Sequence, residues 1–218
     1  MASELRIAQL PGLVPYPDGV LLQEELRAQV QDGAPDQVLL LEHEPVYTRG
    51  RRTGPGELPM GEEWYLAQGI EVCDADRGGA VTYHGPGQLV GYPIMRIDGV
   101  HEYVAALERA IIAALADEGV EAEIRDGLTG VWAPKGKIAS IGVHVSRGVS
   151  THGFAVNVDN DLQPFEWIVP CGVQGAQMSS ICKETGRSGH MDSFREAVVA
   201  RLCEALEREP QVVVSTPG

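Results

Sequence analysis

None of the four cysteines, Cys73, Cys171, Cys182 and Cys203, stands in a Cys-x-x-Cys pair, and their wide spacing signals neither a disulfide framework nor a structural zinc site. Reduced thiols in a cytoplasm are the expectation. The first thirty residues hold no basic stretch followed by an apolar run, and nowhere does the chain approach the roughly 20 consecutive apolar residues a bilayer requires, so neither export nor membrane insertion is expected. Positive charge is scarce: 17 Lys and Arg face 31 Asp and Glu, a formal net charge of -14. Such a surface repels phosphate backbones unless a compact basic patch offsets it, so nucleic acid is not an expected partner. Phosphate cradles are missing as well. Residues 130–138, GVWAPKGKI, put five residues between the glycines and end on Ile138 where a P-loop needs Ser or Thr. Residues 85–91, GPGQLVG, miss the dinucleotide spacing by one, and Pro86 removes an amide that would face a pyrophosphate.

What is present suits one folding unit. A chain of 218 residues with 44% hydrophobic content can bury about 70% of its unfolded surface around a single core, so residues 1–218 are expected to form one domain. Apolar positions Val20, Leu21, Leu22, Leu26 and Val30 recur near helical spacing behind Asp18, which could cap a first helix. The run 38–41, VLLL, fits a buried strand. A second helix is expected over 103–117, with Val104, Leu107, Ile111, Ile112 and Leu115 on one face. A third, 192–207, carries Phe194, Val198, Leu202 and Leu206. Segments 88–97, 137–146 and 154–158 read as strands separated by Gly, Pro and Asp turns. Strands grouped before and after separate helices, with no regular βαβ alternation, indicate an α+β fold with a mixed sheet. Residues 51–61 form a Gly/Pro-rich connection. Residues 210–218 are expected as a loosely held tail, because only Val212 to Val214 could anchor it.

Three segments carry candidate chemistry. In residues 77–88, RGGAVTYHGPGQ, paired glycines allow close backbone approach to a ligand, and the following strand presents alternate side chains, with Arg77, Thr82 and His84 as polar members. The ordinary alternative is a glycine hairpin with a surface arginine and a structural histidine. In 168–172, IVPCG, Cys171 lies between Pro170 and Gly172, in a sharp turn that could present the sulfur and leave amides free for an oxyanion. A lone cysteine is more often an inert small hydrophobe, but a Pro-Cys-Gly turn gives this one a reason to be exposed. Lys137 opens the apolar run 138–143. There it could act as a base or as a cation favouring a nearby thiolate, or simply reach into solvent, with Lys135 as its competitor.

Taken together, residues 41–51 (LEHEPVYTRGR), 77–93 (RGGAVTYHGPGQLVGYP), 130–132 (GVW), 137–142 (KIASIG), 152–155 (HGFA) with Asn157, and 168–172 (IVPCG) resemble the lipoyl(octanoyl) transferase family. The match runs in order from 41 to 172. Val156 stands where Leu is commoner, and 178–181 read MSSI where the family tends to VTSL; both keep rough size and polarity and bear on pocket shape. The resemblance implies the biotin and lipoate ligase fold, a mixed sheet flanked by helices, and transfer of an octanoyl group from octanoyl-acyl carrier protein to a lipoyl-domain lysine. That is the first step of endogenous lipoate formation. It implies Cys171 as the residue carrying the acyl thioester and Lys137, not Lys135, as the lysine that makes its thiol acidic. The substrate-lining positions correspond to Arg77, Gly78, Gly79, Ala80, Val81, Thr82, Tyr83 and His84, to Ser140, Ile141 and Gly142, and to Gly153, Phe154 and Ala155. Acceptors would be lipoyl domains of 2-oxoacid dehydrogenases and the glycine cleavage H protein. No metal or other cofactor is implied, and a monomer is expected. The alternatives are an ATP-dependent lipoate or biotin ligase, disfavoured by Cys171 in its turn, and a non-catalytic lipoyl-domain binding module. Acidic partners would need local positive charge, and Arg49, Arg51 and Arg52 form the only dense basic cluster to supply it.

Overall fold

A long first strand, β1 (Ser3–Val14), leads into helix α1 (Tyr16–Gln31), strands β2 (Asp36–His43) and β3 (Val46–Arg49), and the short helix α2 (Glu62–Ala67). Strands β4 (Glu71–Asp74), β5 (Thr82–His84) and β6 (Gln88–Ile94) precede helix α3 (Val100–Asp117). Four antiparallel strands follow or pair beside it: β7 (Glu123–Arg125), β8 (Leu128–Ala133), β9 (Gly136–Ser146) and β10 (Val149–Asn157). A 3-10 turn at Gln163–Trp167, helices α4 (Ile181–Thr185) and α5 (Met191–Ala205), and strand β11 (Arg208–Val214) complete the chain. The computed structural model describes residues 3–169 and 177–214.

The main sheet has eight strands in the order β11-β1-β2-β6-β10-β9-β8-β7. Its β11-β1 and β1-β2 pairs are parallel and the rest antiparallel, which makes it the mixed sheet of an α+β fold. Strands buried on both faces read as continuous apolar runs, and β2 and β6 show this. On one face α3 and α5 close a core through Leu107, Ile111, Leu115, Phe194, Val198 and Leu202 against Val38, Leu40, Leu89, Phe154 and Val156. On the other, α1 covers Leu39, Leu41, Val90, Tyr92 and Ile94. A small sheet, β4-β3-β5, packs its own cluster of Tyr47, Tyr65, Val81, Tyr83, Phe165 and Ile168.

The helices differ from the sequence expectation mainly at their starts. Helix α1 begins at Tyr16, with Pro15 at the N-cap and Pro17 in the first turn, so Asp18 lies inside that turn and favours the helix through its dipole instead of capping it. Leu21 points to solvent at 60% exposure, while Tyr16, Gly19, Gln23 and Val30 form the buried face. Strand β10 starts at Val149, five residues before the expected Phe154. Residues 51–61 are the irregular connection between β3 and α2. Beyond Pro210, where a loose tail is expected, residues as far as Val214 pair in parallel with β1, through the valines named as its anchor. No helix among the described residues is long and apolar enough to cross a membrane.

Candidate active site

The glycines of the central strands open a space that side chains would otherwise fill. Gly142 on β9 pairs with Gly153 on β10. A Cβ on Gly142 would lie 2.7 Å from the Gly78 carbonyl oxygen, and one on Gly153 would lie 2.4 Å from the Gly91 carbonyl oxygen. The backbones of the glycine segment and the sheet therefore touch here, beside a cavity of about 330 Å³. Its walls include Arg77, Gly79, Ala80, Thr82, His84, Lys137, Ser140, Ile141, Gly142, Gly153, Phe154 and Ala155. Three of the expected lining residues stand elsewhere. Val81 and Tyr83 point away into the small-sheet core, as alternation along β5 dictates, and Gly78 serves through its backbone, its amide donating to the Val143 carbonyl.

Arg77 is buried and organises the hairpin that carries it. Its Nη1 donates to the carbonyls of Gly78 and Ala80, both at 3.0 Å, and its Nη2 to the Thr48 carbonyl at 2.8 Å and hydroxyl at 2.7 Å. His84 donates from Nδ1 to Gln88 Oε1 at 2.7 Å. The Gln88 orientation is fixed by its amide nitrogen, which donates to the Tyr83 carbonyl and to Asn157 Oδ1. Burial, with His43 and Arg77 nearby, pushes His84 well below the ordinary histidine range, so it is neutral.

Lys137 is 5% exposed at the start of β9, opposite Trp132, with its ammonium 5.8 Å from the indole centroid. Its backbone is held on the far side by the chain returning after residue 176. Lys137 N–H donates to the Gln177 carbonyl at 2.9 Å, and Ser179 N–H to the Lys137 carbonyl at 2.8 Å. The Asn157 carboxamide in turn donates to the Ser179 carbonyl at 3.0 Å. Cys171 lies outside the described residues. The preceding segment is tied by Val169 N–H to the Glu57 carbonyl, while the Glu57 carboxylate accepts from the amides of Gly54 and Val81.

Several cavity residues escape sequence reasoning because tertiary contact alone brings them together. Tyr16, Tyr92, His152, Arg52, Glu57, Trp132 and Met178 also line the space. The Tyr16 ring stacks 6.2 Å from His84, and its hydroxyl has no hydrogen-bond partner among the described residues. Behind it, His43 Nδ1 donates to the Val14 carbonyl at 2.8 Å, which leaves Nε2 to accept from the Tyr92 hydroxyl at 2.6 Å. His152 sits at φ 56, a left-handed conformation rare for a side chain of this size. The His152 amide donates to Gln23 Oε1 on α1, and its Nε2 lies 2.7 Å from Asp76. Burial alone would raise the Asp76 carboxyl, but the His152 hydrogen bond and the charges of His152, His144 and Arg51 bring it below the ordinary carboxylate range. The matched segments 41–51, 77–93, 130–132 and 152–155 contain His43, Tyr92, Trp132 and His152 without marking them as neighbours, while Tyr16 and Glu57 lie outside every matched segment. Among the described residues, no group of three or more His, Cys, Asp or Glu side chains is arranged to hold a metal ion.

A mixed sheet flanked by helices, with a glycine-walled cavity that includes a buried lysine, is a fold shared with lipoate and biotin protein ligases of known structure. Lipoate-protein ligase A bound with ATP superposes with a TM-score of 0.80 at 18% identity, covering 99% of this chain and 90% of that one. A bi-partite lipoate protein ligase from Thermoplasma acidophilum, solved in work on it and its E2 lipoyl domain, gives 0.75 at 16%, covering 99% and 88%. The biotin protein ligase of Aquifex aeolicus gives 0.55 at 12%, covering 93% and 69%. The profile of the lipoyl protein ligase A/B catalytic domain matches residues 15–203. An octanoyltransferase of Thermobifida fusca (strain YX) is 44% identical over 205 residues, 88% of this chain and 85% of that protein. The octanoyltransferase of Mycobacterium tuberculosis (strain H37Rv) is 45% identical over 211 residues, 94% and 88%. The chain belongs to the lipoyl protein ligase A/B catalytic domain family and, within it, to the octanoyltransferases.

Proposed function

We propose that the protein transfers an octanoyl group from an acyl carrier protein to a lysine of a lipoyl domain, through a thioester on Cys171, with Lys137 as the second catalytic residue. The observation that carries this reading is a buried lysine in the wall of a cavity that has Arg77, Thr82, His84 and His152 among its polar lining and, beside them, walls of glycine backbone with Ala80, Ile141, Phe154 and Ala155. Such walls suit an alkyl chain, and the lysine marks the end where chemistry occurs.

In the first half-reaction the Cys171 thiolate attacks the carbonyl carbon of the donor thioester. The carbon–sulfur bond to the carrier breaks, and the carrier leaves as a thiol after taking a proton from the Lys137 ammonium, which leaves that lysine neutral. One thioester replaces another at little free-energy change, so no nucleotide is required. A free thiol is only a few per cent ionised near neutral pH, and a nearby ammonium favours the thiolate. In the second half-reaction the acceptor amine attacks the acyl-cysteine, the bond to Cys171 breaks, and the proton lost by the amine goes to a neutral Lys137. The resulting amide is more stable than the thioester, which makes the step favourable. A non-catalytic binding module would have no use for this arrangement.

Intact-protein mass spectrometry after mixing with octanoyl-acyl carrier protein tests the reading. One octanoyl adduct should appear on wild type, be lost on adding a lipoyl domain, and be absent from Cys171→Ser, because a serine hydroxyl is far less acidic than a thiol. An adduct on Cys182 or Cys203 would reassign the nucleophile. Acceptor labelling from octanoate and ATP without the carrier would make the protein a ligase instead.

A further inference from the structure

A lysine that must serve as cation and then as base has to keep its nitrogen in one place, and the long lysine side chain loses much rotamer freedom in doing so. Burial alone does not choose a rotamer; a trough does. Beneath Lys137 that trough is made by Gly130 on β8. Gly130 adopts φ 118, a conformation restricted to glycine. A Cβ there would lie 2.7 Å from Lys137 Cε, 3.2 Å from Lys137 Nζ and 2.5 Å from the Ala139 carbonyl oxygen. The last two atoms of the lysine side chain thus occupy the space that any other residue at 130 would fill.

Gly130 is itself held from the core side. Its N–H donates to Glu108 Oε1 at 3.0 Å, and Glu108, from the middle of α3, is 6% exposed. Glu108 lies on the buried face of α3, beside Leu107 and Ile111, where an acidic side chain is costly. It makes no ion pair with any described residue, so stability gives no evident return for that cost. Gly130 precedes the first β8–β9 pair, Val131 with Ala139, and the register breaks again between Val131 and Trp132, so the ladder with β9 does not by itself fix where the Gly130 amide points. An outside acceptor does.

We infer that Glu108 is a positioning residue for the transfer reaction, acting through the Gly130 amide to fix the trough that carries the Lys137 ammonium. This rests on the role given to Lys137 above. Four variants test it: Glu108→Gln, Glu108→Met, Gly130→Ala and, as reference, Lys137→Ala. Each is assayed with a small octanoyl thioester and a lipoyl domain, and by the pH dependence of Cys171 alkylation followed by intact mass. A glutamine carbonyl oxygen can accept the same N–H, so Glu108→Gln should stay within about twofold of wild type. Glu108→Met and Gly130→Ala should lower kcat on the order of tenfold to a hundredfold, as displacement of a catalytic group does. They should leave KM nearly unchanged and move the alkylation profile in the direction set by Lys137→Ala. Thermal melts separate this from unfolding, and Gly130→Ala with Glu108→Gln still decide the matter if Glu108→Met does not fold. Wild-type kcat and an unmoved profile in Gly130→Ala and Glu108→Met would overturn the inference. So would a Glu108→Gln variant as impaired as Glu108→Met, because charge and not the hydrogen bond would then be at work. If Lys137→Ala itself changed neither readout, the role of Lys137 would fall first, and this inference with it.

Discussion

Lys135 and Lys137 are two residues apart, and their surroundings give them different work. The Lys135 ammonium is exposed and donates to the carbonyls of Lys183 and Glu184, at 2.5 and 3.1 Å, where α4 ends. It caps a short helix outside the cavity. The Lys137 side chain turns inward, over Trp132 and Gly130, into the cavity wall. From sequence alone both were strand-end lysines next to one apolar run, and only the resemblance separated them; the separating fact is which side of a two-residue turn faces the core. Lys137→Arg is expected to be almost as damaging as Lys137→Ala, because guanidinium keeps the charge but cannot give up a proton at working pH. Lys135→Ala should cost no more than the few tenths of a kcal/mol typical of a surface contact, roughly, with turnover near wild type. Steady-state rates with octanoyl thioester check both. A fully active Lys137→Arg would remove the base role, and equal losses at both lysines would point to folding.

At the level of elements, what could be read ahead of the structure was what repeats. Helices α3 and α5 carry four or more apolar residues at helical spacing, and β2, β6 and β9 are apolar runs long enough to be recognised. Strands β4, β5 and β7 have four, three and three residues, too short for any period to show, and β1 and β11 gain their definition from pairing with each other. The site was legible where glycines and charged residues mark the backbone, at 77–84 and 137–142. It was illegible where α1, β2 and β6 meet, because Tyr16, His43 and Tyr92 are far apart in sequence and joined only by the fold. His43 is the hub of that junction: Gly19 of α1 packs on its ring, with a virtual Cβ 2.9 Å from Cε1, and its two nitrogens tie β1 to β6. Burial pushes it down from 6.5 to about 4, against a smaller opposing effect of the Val14 carbonyl. The unfolded chain then binds more protons than the folded one between those values. The contribution is complete above pH 6.5 and is lost as pH falls towards 4, up to about 3 kcal/mol, and the depressed His84 and His152 act in the same direction. Thermal midpoints should therefore fall from pH 7 to 4.5. His43→Gln, which can donate to Val14 and accept from Tyr92, should make that fall shallower. An unchanged slope would show that carboxylates alone control acid stability.

Over the whole molecule, a net charge of -14 opposes approach of an acidic carrier, so docking depends on where positive charge is left uncommitted. The three-arginine cluster at 49–52 is less uniform than its sequence suggests. Arg49 is bound to Asp74 and Glu62, at 2.7 and 2.5 Å, and fastens the end of β3 to its neighbours. Arg51 donates to His144 at 2.9 Å and stands 4.0 Å from Asp76, so its charge is shared with a carboxylate already engaged by His152. Arg52 differs: it is exposed at the cavity rim, its backbone is held by the Gly79 carbonyl, and its guanidinium forms no hydrogen bond or ion pair among the described residues. Of the three, only Arg52 both lines the cavity and is free of ion pairs among the described residues, which makes it the arginine to test for docking of an anionic donor. Arg52→Glu should raise KM for the carrier-bound donor several-fold, with a far smaller loss for a small octanoyl thioester that brings no carrier. Added salt should mimic the effect in wild type, because charges more than about 8 Å apart are screened at physiological ionic strength. Arg49→Glu should act otherwise, lowering the thermal midpoint and harming both donors alike, since it sets a third carboxylate beside Asp74 and Glu62. If Arg52→Glu harmed both donors equally, the arginine would belong to the acyl site and not to docking. If it harmed neither, the carrier must approach from another face.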